Sequence, residues 1–144
     1  MTHKDVTHKD VTDRDVTRSV LIVDGANVVG SVPDGWWRDR RGAAERLRDR
    51  LAAAPPGTLP GGVPEGTPGT TPEIVLVVEG AARGVVSVPG VRVDSAPGSG
   101  DDRIVELAAE YAGRGCVVVT ADRELRARVR ALGATCTGPS ALRP

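Results

Sequence analysis

Apolar residues along this chain fall into short unbroken runs, separated by stretches in which they recur every three or four positions. Residues 20–23 (VLIV) form one run, ended by Asp24; residues 74–78 (IVLVV) form another, ended by Glu79; residues 117–119 (VVV) form a third, followed by Thr120 and then Asp122. Unbroken runs predict strands covered on both faces, as in a parallel sheet, whereas a sheet with one wet face would alternate. Residues 91–93 predict a short strand leading to Asp94 in a turn, and residues 134–136 a weak last strand. Between them lie helical stripes. Residues 38–54 space Ala43, Ala44, Leu47 and Leu51 along one face; residues 102–112 do so with Ile104, Leu107, Ala108 and Tyr111. A third helix, residues 123–132, presents Leu125, Val129 and Leu132 and stops at Gly133, while Ser99 and Asp102 have the spacing of a capping box. Strands and helices in alternation predict an α/β fold with right-handed crossovers.

Two segments fall outside this pattern. Residues 1–19 repeat THKDV with a period of five, which places one Val per repeat; that is too sparse for a core, so the segment reads as an exposed, flexible tail. Both histidines, His3 and His8, lie there without companion ligands for a metal. In residues 55–72, Pro and Gly supply 11 of 18 positions, a composition that suits a surface loop and no regular element. The domain organisation expected is therefore a tail over residues 1–19 and one domain over residues 20–144, with a Pro/Gly-rich loop at 55–72.

The acids stand where an open parallel sheet binds ligands. Asp24, Glu79 and Asp122 sit at or just past predicted strand ends, and Asp101 and Asp102 open a helix after the sequence APGSG. Any one of them alone reads as a turn former or a helix cap. Four sites in register do not. Two carboxylates about 5 Å apart repel by roughly 3 kcal/mol at an effective dielectric of 20, so such a group either protonates or recruits a cation. Oxygen ligands without nearby His or Cys select Mg²⁺ or Mn²⁺, ions that share their coordination with phosphate. The chemistry implied is metal-assisted phosphodiester hydrolysis.

Composition narrows the setting. With 144 residues, 19 basic and 19 acidic side chains and no Phe, the chain is sized for one domain with an aliphatic core, and its balanced charge argues against strong nonspecific polyanion binding. No apolar run is long enough to span a bilayer and no secretory signal opens the chain, so a cytoplasmic protein is expected. Cys116 and Cys136 form no disulfide framework and read as small buried hydrophobes.

The segment VLIVDGANVVG at residues 20–30 resembles the opening of the NYN domains, a branch of the PIN-like ribonucleases. GSGDDRIVELAAE at 98–110 and VVVTADRELRARVRALGA at 117–134 are similar to that family's second and third acidic motifs, and small bacterial NYN proteins resemble the chain most. The resemblance implies a three-layer α/β/α sandwich with a mostly parallel sheet of strand order 3-2-1-4-5. It implies that Asp24 is the first metal ligand, that one of Asp101 and Asp102 is the second and Asp122 the third. Asn27 would position the scissile phosphate or a water, and Glu79 would be an extra ligand or an outer base. One or two Mg²⁺ or Mn²⁺ ions would then drive RNA hydrolysis to a 5′-phosphate and a 3′-hydroxyl.

For the RNA itself, Arg38, Arg40 and Arg41 follow the first motif, and Arg123 and Arg126 follow Asp122. Arg38 and Arg123 are the candidates for backbone contact, and Trp36, in the pair Trp36–Trp37, for base stacking. Other functions stay in view: a nucleotide phosphohydrolase or pyrophosphohydrolase using the same acids, or an RNA-binding module without turnover. A haloacid-dehalogenase-type phosphatase needs an Asp where Ala26 stands. A homodimer is left open.

Overall fold

The computed structural model describes residues 18–55, 58–60 and 72–142. The pentad tail up to residue 17, with His3 and His8, and most of the Pro/Gly loop lie outside the described residues. Five parallel strands form one sheet in the order β3-β2-β1-β4-β5: β1 (Val20–Asp24), β2 (Glu73–Val78), β3 (Val91–Ser95), β4 (Cys116–Val119) and β5 (Thr135–Thr137). Four helices flank it: α1 (Gly25–Gly30), α2 (Arg40–Ala53), α3 (Gly100–Glu110) and α4 (Arg123–Arg130). The expected α/β sandwich and strand order are both present.

The period of two in each strand divides the core into two layers. Val20, Ile22, Val75, Val77 and Val118 face α3 and α4 through Ile104, Leu107, Leu125 and Val129. Leu21, Val23, Leu76 and Val78 face α1 and α2 through Val28, Ala44, Leu47 and Leu51. Every residue of β1 is buried, which is why its sequence shows no alternation. Each such aliphatic side chain contributes about 1.5–3 kcal/mol on leaving water.

Helix starts depend on short polar side chains. Asp39, Ser99 and Asp122 accept hydrogen bonds from the backbone N–H groups of Gly42, Asp102 and Leu125 at 2.9, 3.2 and 2.9 Å. Each such cap is worth about 1 kcal/mol. Helix α4 ends at Arg130, short of the expected residue 132, because the chain turns at Ala131; Leu132, expected on the buried face, is exposed, and Gly133, at φ 94°, follows the turn.

Several boundaries differ from expectation. The helix expected over 38–54 divides into a 3₁₀ turn, Trp36–Arg38, and α2, because Asp39 breaks the helical backbone and caps α2. Helix α3 starts at Gly100, earlier than residue 102, since Ser99 is its cap. Asp94 is not a turn residue: it lies in β3, where Arg103 grips its carboxylate with Nε and Nη2, both at 2.9 Å. That ion pair, with Arg92 beside it, holds the Asp94 carboxyl below its ordinary pKa. No helix among the described residues is long and apolar enough to cross a membrane.

Candidate functional site

Three strands and one helix deliver the acids to a single rim. Asp24 ends β1, Glu79 follows β2, Asp122 lies beyond β4, and Asp101 stands in the first turn of α3. Parallel strands put all their carboxyl ends on one side, so residues nearly a hundred positions apart share it.

Asp24 and Thr120 are the two buried polar residues of the described core, and they bind each other. The Thr120 hydroxyl donates to Asp24 Oδ2 at 2.8 Å, while Asp24 Oδ1 accepts the Asn27 N–H at 3.3 Å and so caps α1. Thr120 Oγ1 in turn accepts the Asp122 N–H at 3.2 Å. Sequence reasoning misses Thr120; a hydroxyl directly after a buried strand and two residues before an acid is the available signal. Asn27 Oδ1 accepts the Ala121 N–H at 2.9 Å and ties α1 to the turn after β4.

Among the described residues no cation answers Asp24. Its pKa is pushed up to about 6, first by burial and further by the charges of Asp101 and Glu79, against the pull of its two hydrogen bonds. Asp101 is also raised, by burial and then by Asp122 and Glu79. Glu79 lies so close to the start of α3 that a Cβ on Gly100 would stand 2.7 Å from its Oε1. Asp102 differs from its neighbour: its side chain is 70% exposed and accepts from Arg128 Nη2 at 3.0 Å. Its carboxylate therefore does not complete the capping box expected with Ser99.

The group as placed is a loose one. Among the described residues no three acid, His or Cys side chains close around one point to hold an ion. By donor type and charge the set still fits a hard divalent cation: it offers oxygen only, neighbouring carboxylates raise the pKa of Asp24 and of Asp101, and buried Asp24 has no basic partner among the described residues.

The basic residues divide by role. Arg41 donates to the carbonyls of Arg83 and Gly84 at 2.9 and 3.1 Å, and Arg126 to that of Thr120 at 2.7 Å, so both brace the rim. Arg38 and Arg123 are exposed. Arg38 lies over the Trp37 ring at 5.9 Å and Arg40 over the Trp36 ring at 5.3 Å. Trp36 is half-buried and Trp37 exposed. Cys116 is buried and Cys136 partly so; both are free thiols, and burial, with Cys136 nearby, pushes the Cys116 thiol up to about 11.

No family model matches the chain, and no curated protein matches it. Among solved structures, that of Rae1 (YacP) from Bacillus subtilis, crystallised as a tryptophan-to-leucine mutant, is similar with a TM-score of 0.60. The match covers 86% of this chain and 72% of that one at 20% sequence identity. The likeness is one of fold, a five-stranded parallel sheet flanked by helices. In a sheet of order 3-2-1-4-5 the first strand is central, so Asp24 stands at the middle of the acid rim, with Glu79 to one side and Asp122 to the other.

Proposed function

We propose that this chain is a metal-dependent ribonuclease. The observation that carries the reading is the rim itself: acids from four separate elements share the carboxyl end of the sheet, and the most buried, Asp24, has its pKa raised with no basic partner among the described residues. The PIN/NYN-like fold and the resemblance of the three acidic segments to NYN motifs support it. Asp24, Asp101 and Asp122 would hold Mg²⁺ or Mn²⁺, with Glu79 beside them. When bound, the ion supplies Lewis-acid charge for the phosphate and makes water a better nucleophile.

The protein's own groups do the rest. Thr120 orients the Asp24 carboxylate, and Asn27 fixes the turn that carries Asp122. Arg38 and Arg123 meet the phosphate backbone of the strand. Glu79, which has no ion pair among the described residues, lies near enough to Asp24 for its charge to raise the Asp24 pKa.

The experiment is cleavage of labelled single-stranded RNA with Mn²⁺ or with EDTA. The wild type should cut only with the ion. Asp24→Asn and Asp101→Asn should lose about a hundredfold or more, and Asp102→Asn far less. Equal cleavage by Asp24→Asn and wild type would refute the assignment; so would turnover of nucleoside triphosphates in preference to RNA.

A further inference from the structure

A cavity of about 290 Å³ opens beside the acid rim. Gly25, the residue after Asp24, and Gly80, the residue after Glu79, both line it, so its floor begins where the acids end. Val29, Ala44 and Val78 make it apolar; Trp36, Arg40 and Glu79 give it an aromatic face, a guanidinium and a carboxylate. The volume lies at the bottom of the range for small-ligand pockets, enough for one planar ring system.

Trp36 is held in a position to stack. Its ring meets Trp37 edge-on at 5.9 Å and 87°, and Gly30 lies beneath it, with the place of a Cβ 3.8 Å from Cζ2. The exposed Arg40 covers the indole at 5.3 Å from its centroid.

We propose that this cavity receives one unpaired base of an RNA strand, stacked on Trp36, while the adjoining phosphate lies on the acid rim. The base takes the place of the Arg40 guanidinium, which turns to the phosphate. Glu79 offers an acceptor for base N–H groups. An aliphatic ligand would use neither charge, and a paired base could not enter, since a duplex offers no free face. The choice of RNA as the polymer rests on the ribonuclease reading; occupancy of the cavity is tested separately.

In Trp37→Phe, Trp36 is the only tryptophan left and reports on the cavity by its own fluorescence. The probes are a single-stranded 2′-O-methyl RNA decamer and an abasic strand of equal length, titrated in EDTA. The decamer should quench Trp36 saturably and the abasic strand should not. In the otherwise native chain, Trp36→Ala should weaken decamer binding, read by anisotropy, about tenfold, and Trp36→Phe should restore most of it. Equal quenching by both strands, binding without quenching, no binding, or an unaffected Trp36→Ala would overturn the proposal. Quenching by the decamer, with unmodified single-stranded RNA left uncut under Mn²⁺, would leave the base pocket standing and remove only the nuclease reading.

Discussion

Asp24 is a residue whose fold works against its charge. Its folded pKa, about 6, lies above the ordinary value of 3.8, so the native state holds the proton more tightly than the unfolded chain does. The favourable contribution is full below pH about 4 and is lost as pH rises through about 6, after which the ionised carboxylate weighs on stability by roughly 3 kcal/mol. In EDTA, Asp24→Asn should therefore raise the urea midpoint at pH 7.5 and leave it unchanged at pH 4. A midpoint that falls at pH 7.5 would mean that the Thr120 bond outweighs burial. At this scale the sequence is partly readable. The positions of Asp24, Asp101 and Asp122 stand out because each follows a strand or opens a helix. Thr120 does not, because its partner is 96 residues away. The choice between Asp101 and Asp102 is closed to sequence for a different reason: adjacent residues on a helix point about 100° apart, and only the packed orientation of α3 shows which one faces the other acids.

Among the elements, α1 is the one the sequence conceals. GANVVG has Gly at both ends and two adjacent valines, too short a segment for a helical stripe to show; the Asp24 side chain caps it by accepting the Asn27 N–H. Gly25, its first residue, lies against β2, and a Cβ there would stand 2.5 Å from the Val77 carbonyl oxygen. Helix propensity favours Ala over Gly by up to about 1 kcal/mol. A backbone contact that short must push β1 and β2 apart, which costs about 1–3 kcal/mol. Packing wins, so Gly25→Ala should lower the urea midpoint and reduce RNA cleavage as Asp24 moves with the strand. The stripes of α2 and α3 are legible because their apolar faces pack on the sheet as spaced; in α4 only Leu125 and Val129 do, since the helix ends before Leu132. The ends of α2 and α3 are less so, since Asp39 and Ser99 decide them by capping.

Across the whole molecule, the rim joins elements that are remote in sequence, and a bound ion would tie β1, α3 and the turn before α4 together. A ligand that binds only the native state stabilises it by about 2.7 kcal/mol at a hundred times its Kd. Millimolar Mn²⁺ should therefore raise the Tm of the wild type and leave that of Asp24→Asn in place; equal shifts in both would locate the ion elsewhere. The architecture itself is legible because three buried apolar runs, separated by helical stripes, leave a parallel sheet little alternative. The looseness of the acid group is not, because it depends on side-chain placement that strand order does not determine.

The direction of β1 has a practical corollary. Its five residues, at about 3.3 Å each, set about 16 Å of buried backbone between Val20 and the Asp24 end. An affinity handle, fluorophore or solid support attached ahead of Arg18 joins the strand at its opposite extremity, so immobilised protein would present the carboxylates and the indole cavity outward to a passing substrate.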